Sequence, residues 1–223
     1  MRLMDTDTQN QVRDLLSAVQ SPVTIHLFTQ EFECGYCKET RQIAEEVAEL
    51  SDHVTLQVHD FVKDQALAEA MGIDKIPALA INGENDRDYG IRFYGIPSGY
   101  EFTSLLEAIL AVGTGEHDLD AATIAYLDSL ETPLHLQVFV TPTCPYCPQA
   151  VVLAHRMALA SDKVRADMVE VTEFPHLGQR YEVMGVPRTV INEETYLEGA
   201  APEKMLLDKV KDAVALSARS SAR

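Results

Sequence analysis

The sequence predicts an α/β protein built from two tandem copies of one unit, each with a central mixed sheet flanked by helices. Three observations carry this prediction. The chain has 223 residues, 46% of them apolar, enough for two units of about 100 residues with a core in each. Segments of strand-like and helix-like hydrophobic periodicity alternate along it. One pattern also occurs twice: Cys34-Gly35-Tyr36-Cys37 precedes Ile76-Pro77, and Cys144-Pro145-Tyr146-Cys147 precedes Val186-Pro187. In both copies the proline follows the second cysteine by 40 residues, and the two motifs lie 110 residues apart.

In the first copy, Val12, Leu15, Leu16 and Val19 share one face of a helix over 8–19, which Ser21-Pro22 ends. The apolar, β-branched run 23–28 reads as a strand. After a short loop bearing Cys34, a helix over 36–50 turns Ile43, Val47 and Leu50 inward. A strand over 53–59, a short helix over 65–71 and a strand over 78–81 follow. Asn82-Gly83 and the acidic run 84–88 make a polar turn before a strand over 91–94. A helix over 98–112 closes the copy, with Phe102, Leu105, Leu106 and Ile109 on its apolar face. The polar, glycine-containing stretch 113–118 reads as a linker and divides the chain into units 1–115 and 116–223.

The second copy repeats the order. A helix over 120–130 is followed by Thr132-Pro133, the counterpart of Ser21-Pro22. Next come a strand over 134–140, a helix from Cys144 to about residue 160, a strand over 164–171 and a short helix over 177–184. A strand pair over 188–191 and 196–198, a helix over 202–216 and a frayed tail over 217–223 complete it. Each copy thus reads as a leading helix and then β-α-β-α-β-β-α. Helical crossovers imply parallel pairing, and the final tight strand pair implies an antiparallel hairpin.

Charge narrows the function classes. With 18 Lys and Arg against 35 Asp and Glu, the net charge is -17. No basic stripe exists to neutralise phosphates, so nucleic acid is not an expected partner, and anionic membrane surfaces are disfavoured too. No apolar run reaches membrane-spanning length, and the first seven residues form no apolar signal core. A cytoplasmic location is the resulting expectation. Thiols there are kept reduced, so paired cysteines read as catalytic or metal-binding rather than as structural staples.

The motif itself suits disulfide exchange. A cysteine at or just before the first helical position lies beside unpaired N–H groups and the positive end of the helix dipole, which favour its thiolate. The thiolate is the attacking species. A second cysteine one turn later closes a small ring and releases a mixed disulfide. Cys34 and Cys144 are therefore the expected nucleophiles, and Cys37 and Cys147 the resolving thiols. In this scheme Pro145 takes the first helical position, where it loses no hydrogen bond. Tyr36 and Tyr146 form an aromatic rim. Pro77 and Pro187 are expected in cis, leaving the backbone of Ile76 and Val186 to pair with an extended substrate. Glu31, Glu33 and Glu39 crowd Cys34, offset by Lys38 and Arg41, whereas no charged residue lies within six positions of Cys144. Cys34 is thus expected to be the less acidic nucleophile. The seven histidines show no ligand spacing, and no metal site is expected.

Cys-Pro-Tyr-Cys with an aliphatic-proline pair 40 residues later resembles a glutaredoxin active site on a thioredoxin fold. The duplication resembles the two-unit glutaredoxin-like protein disulfide oxidoreductases. The resemblance covers about residues 8–216. It implies two tandem thioredoxin/glutaredoxin-like folds sharing an extended sheet, and the reduction, formation or isomerisation of disulfides in protein or peptide substrates. It also implies no bound cofactor, with electrons reaching the cysteines indirectly from NADPH through a thioredoxin-reductase-like flavoprotein. Thioredoxins carry a buried Asp six residues before the first cysteine, where this chain has Phe28 and Val138, so the proton acceptor is unassigned. Two alternatives stand beside this reading: an iron–sulfur cluster binding or carrier protein, and a dedicated electron donor to a peroxidase.

Overall fold

Val23, Ile25 and Leu27 alternate with His26 and Phe28 along the first strand, and all five side chains are essentially buried. A strand covered on both faces must lie inside a helix-sheathed sheet. The computed structural model, which describes residues 2–221, shows that sheet. The order of elements is α1 (Thr6–Leu16), β1 (Val23–Thr29), α2 (Cys37–Ala48), β2 (Val54–Asp60), α3 (Gln65–Ala70), β3 (Ala78–Asn82), β4 (Asp88–Tyr94) and α4 (Glu101–Thr114). The second copy continues with α5 (Ala121–Asp128), β5 (Leu134–Val140), α6 (Cys147–Ala160), β6 (Val164–Glu170), α7 (Pro175–Arg180), β7 (Arg188–Ile191), β8 (Thr195–Glu198) and α8 (Glu203–Ser221).

The eight strands of the described residues form one sheet in the order β2-β1-β3-β4-β6-β5-β7-β8. Within each copy the first two strands pair in parallel and the rest antiparallel, as the alternation of elements predicts. Between copies β4 pairs with β6 in parallel, Ile91 opposite Ala166 and Tyr94 opposite Val169. This pairing makes β1 and β5 parallel, so their C-terminal ends, each leading to a Cys-x-x-Cys motif, face the same edge of the sheet. Apolar side chains from both copies, among them Ile25, Leu79, Phe93, Leu136 and Met168, join in one core on one face. A smaller cluster with Phe28, Tyr94, Phe139 and Val169 lies on the other.

Several boundaries differ from the sequence prediction. α4 continues through Gly113 and Thr114, residues that read as linker. A Cβ on Gly113 would stand 2.5 Å from Val19 Cγ1, so this glycine lets α4 pack onto the segment after α1. β4 starts at Asp88 rather than residue 91, because the polar run 88–90 pairs back across an irregularity near Ala80. α7 starts at Pro175, a residue suited to a first helical position. It stops before Glu182, whose φ is +51°. The expected frayed tail is helical, since α8 runs to Ser221; Ala222 and Arg223 of that tail lie outside the described residues. His26 is buried between Asp86 and His59, bonding them at 2.7 and 3.0 Å, which suits a packing role.

The loop from β4 to α4 fastens the copies together at the shared edge. Tyr100 N–H donates to Pro142 O at 2.9 Å, and Ile96 N–H donates to Glu173 Oε1 at 2.6 Å. Gly99 has φ +59°, and a Cβ there would lie 2.3 Å from Pro142 O. The Gly99→Ala variant is therefore expected to lose about 2 kcal/mol or more of unfolding free energy, from a positive φ and a backbone clash together. Urea unfolding monitored by circular dichroism checks this; an unchanged midpoint would show that the loop does not clamp the copies.

Candidate active site

Both active-site helices begin at the second cysteine, not the first. Tyr36 and Tyr146 occupy the N-cap positions of α2 and α6, and Cys34 and Cys144 lie in the preceding turns. Local chemistry explains the shift. Pro145 pushes the residue before it, Cys144, out of the helical region. Gly35 lowers helix propensity after Cys34, and Glu33 before it has φ +56°. Pro145 thus stands outside the helix, and Pro148 falls within the first two positions of α6, where its missing N–H costs little. Cys144 N–H donates to Thr141 O at 3.1 Å, and Cys147 N–H reaches Cys144 O at 3.4 Å.

Each motif is closed as a disulfide, Cys34 to Cys37 and Cys144 to Cys147. Cys37 and Cys147 are buried at the helix starts, Cys144 is nearly so, and Cys34 is partly exposed. The rim tyrosines are open to solvent, Tyr36 at 48% and Tyr146 at 69%. The Ile76-Pro77 and Val186-Pro187 bonds are both cis. Pro77 and Pro187 are buried, while Ile76 and Val186 are half-buried. Cys144 Sγ lies 3.8 Å from the Val186 carbonyl oxygen, which puts that loop directly against the disulfide. Equivalent hydrogen bonds brace the prolines: Gly95 N–H to Pro77 O at 2.9 Å and Gly199 N–H to Pro187 O at 2.8 Å.

Charges of both signs surround the first disulfide. A cavity of about 440 Å³ beside the Cys34–Cys37 disulfide is lined by Glu31 and Asp60, but also by Lys38 and Arg41. Glu39 instead lines a separate groove with Leu3, Ile43 and Phe102. Carboxylates and cations thus line that cavity together.

Three acids that the sequence pattern does not single out lie where the two copies meet. Glu101 opens α4 directly after Tyr100, and its side chain is fully buried. Ser104 Oγ donates to its Oε2 at 2.7 Å, and its Oε1 has no partner. Burial pushes its carboxyl up to about 7, the Ser104 hydrogen bond opposing this. Glu173 is likewise pushed up to about 7 by burial, with Ile96 N–H opposing and Glu170 adding to the rise. Glu170 is buried and accepts from Thr172 Oγ1 and from Glu173 N–H. In the sequence, an acid in the first turn of a helix reads as an ordinary dipole-favoured surface residue. α4 packs along α6 of the other copy, a meeting that no sequence pattern announces.

The family model for the thioredoxin domain matches residues 23–107 and again residues 134–211. The chain belongs to the thioredoxin domain family. The protein disulfide oxidoreductase from Aeropyrum pernix K1 has a similar structure, with a TM-score of 0.88 and 30% identity over 96% of each chain. The NTD_N/C domain of alkylhydroperoxide reductase AhpF from Enterococcus faecalis superposes with a TM-score of 0.86 and 26% identity, covering 93% of this chain and 99% of that one. Among curated relatives, the alkyl hydroperoxide reductase AhpF of Pseudomonas aeruginosa is 26% identical over 98% of this chain. The chain spans 40% of that relative's length. Among the described residues, no group of three or more His, Cys, Asp or Glu is arranged to hold a metal ion, and no helix is long and apolar enough to cross a membrane.

A raised carboxyl pKa fixes the sign of a pH effect. Glu101 binds its proton more tightly in the folded protein than in the unfolded chain, so the stability from its protonated form is full below about 4.5 and is lost as pH rises through about 7. Wild-type Tm is expected to fall between about pH 5 and 7, and the Glu101→Gln variant to show a flatter profile over that window. Calorimetric scans at several pH values decide the point; parallel profiles would mean that Glu101 does not titrate there.

Proposed function

We propose that the chain is a protein dithiol–disulfide oxidoreductase with two active sites, one in each of the units 1–115 and 116–223. One observation carries this reading: two closed Cys-x-x-Cys disulfides, each at a helix N-terminus and each in the same frame with a cis-proline loop. In the reduced protein the Cys34 or Cys144 thiolate attacks a substrate disulfide. A bond forms to one substrate sulfur while the substrate S–S bond breaks, and the other sulfur leaves as a thiolate. Cys37 or Cys147 then attacks the mixed disulfide, releasing the second substrate thiol and closing the protein's own disulfide. Two electrons pass to the substrate.

The flanking residues have distinct parts. Ile76 and Val186 offer backbone groups to an extended substrate. Pro77 and Pro187 shield the disulfides, and Tyr36 and Tyr146 flank the entering chain. Glu101 serves as the proton acceptor for Cys147. Both residues start neighbouring helices at the clamped seam, and a carboxyl held near 7 exchanges protons readily at working pH. Recharging comes from a thioredoxin-reductase-like flavoprotein using NADPH, and the location is cytoplasmic. A second reading, donation of electrons to a peroxidase, is favoured by the likeness to the alkyl hydroperoxide reductase AhpF.

Insulin reduction driven by dithiothreitol tests the proposal. The wild type is expected to be active, Cys34→Ser and Cys144→Ser each to retain a part, and the double variant to lose activity. In the Cys34→Ser background, Glu101→Gln is expected to slow turnover about tenfold or more. A double variant as active as the wild type would overturn the reading. An iron–sulfur carrier would instead purify coloured and lose its visible absorbance with the cysteines.

A further inference from the structure

The loops that carry the two cis-prolines have the same length but opposite chemistry. Three places before the proline stands Asp74 in the first copy and Met184 in the second; the next residue is Lys75 or Gly185. Both of these leading side chains point outward, Asp74 at 71% exposure and Met184 at 91%. A fully exposed methionine costs solvation free energy with nothing to offset it in the isolated protein. Here it stands two residues before Val186, whose carbonyl oxygen touches the Cys144 sulfur.

The presentation of Asp74 is itself built. Lys75 pairs with the Asp74 carboxylate yet turns inward, only 15% exposed, with its Nζ 3.7 Å above the centre of the Tyr94 ring. Tyr94 is fully buried, and its hydroxyl accepts from Arg165 Nη2 of the second copy at 2.6 Å. Arg165 Nε donates in turn to buried Asp167 at 2.9 Å. A chain from the second copy thus fixes Lys75 and leaves Asp74 as the charge that the first loop shows to solvent.

The surroundings agree with each loop. Near Cys34, Glu31, Glu33 and Lys38 are exposed and Arg41 is engaged by Glu45 at 2.7 Å, which leaves two exposed carboxylates against one exposed cation beside Asp74. Near Cys144, the exposed groups are Pro145, Tyr146 and Tyr100, with no charged residue within six positions of that cysteine in the chain.

We propose that the two sites take different substrates: through Asp74 the Cys34 site selects disulfides flanked by basic residues, and through Met184 the Cys144 site selects disulfides flanked by apolar ones. This rests on the oxidoreductase reading and specifies its substrates. Each occupant is an extended segment lying along the cis-proline loop beside its disulfide. An exposed ion pair adds a modest, salt-screened preference, while covering Met184 and Tyr146 removes apolar surface from water regardless of salt.

The test uses two single-site proteins, one with Cys144→Ser and Cys147→Ser, the other with Cys34→Ser and Cys37→Ser. Three disulfide peptides, identical except for Lys, Glu or Leu flanking the cysteine, are compared by kcat/KM. The Cys34 site is expected to prefer Lys over Glu by about threefold at low ionic strength, and to lose most of that preference in concentrated salt. The Cys144 site is expected to prefer Leu over both by about threefold or more, with little salt dependence. Asp74→Met should abolish the first preference and Met184→Asp the second, with the change in KM rather than kcat; both positions are exposed, so folding is not at risk. The same peptide ranking in both single-site proteins, or swaps that alter all peptides equally, would overturn the proposal while insulin reduction by the wild type upholds the oxidoreductase reading. Failure of both single-site proteins on every peptide and on insulin would remove that reading, and the proposal with it.

Discussion

The parallel pairing of β4 with β6 is the constraint on which the rest of the molecule depends. In one copy taken alone, β4 would be an edge strand with a row of unpaired backbone groups, a liability for any sheet. Pairing it with β6 satisfies those groups and makes one continuous core. It also imports polar groups that need partners. His155 is buried beneath the seam, its Nε2 3.3 Å from Arg92 O, and burial holds its pKa down at about 4, so it stays neutral. Arg92 is paired with Asp88, while Asp167 bonds both Arg165 and His135, and these partners offset its burial to hold its carboxyl at about 2. These pairs cross or border the joint, so breaking one partner would strand a charge inside it.

The same joint makes the two redox centres unlike, although their sequence frames match. The first lies toward one end of the sheet, with a partly exposed Cys34 and a charged cavity. The second follows β5, where the loop 95–100 of the first copy presses on Pro142, and its Cys144 is buried. The acids where the copies meet, Glu101 and Glu173, are buried or half-buried with raised pKa values, whereas Glu31 of the first cavity is exposed. The same Cys-x-Tyr-Cys frame therefore meets two surroundings, with its first cysteine partly exposed in one copy and buried in the other.

Much of this was legible in the sequence because the deciding forces are local. Strand and helix periodicity gave the sixteen regular helices and strands of the described residues in order, and the spacing of cysteine to proline placed both cis peptides. The errors share a physical origin. Helix starts at Cys37 and Cys147 depend on backbone preferences of Gly35 and of the residue before Pro145, which a hydrophobic pattern does not register. The linker over 113–118 failed at Gly113 because a glycine that permits close helix packing looks the same as one that ends a helix. Glu101 was invisible for a deeper reason. Its burial arises from how α4 packs in the finished fold, and a single sequence read from left to right carries no sign of which surfaces will meet.

The strand order sets a distance as well as a direction. β1 and β5, which lead into the two motifs, are separated by β3, β4 and β6. Four strand spacings of about 4.8 Å put their axes about 19 Å apart. Sulfur atoms must touch to exchange, so the two disulfides cannot trade electrons with each other in this frame. A polypeptide caught at one site and long enough to span that gap, however, meets the second at millimolar effective concentration. The chain is in this sense a bivalent reagent of fixed span, suited to clients that carry more than one bond to be broken or made.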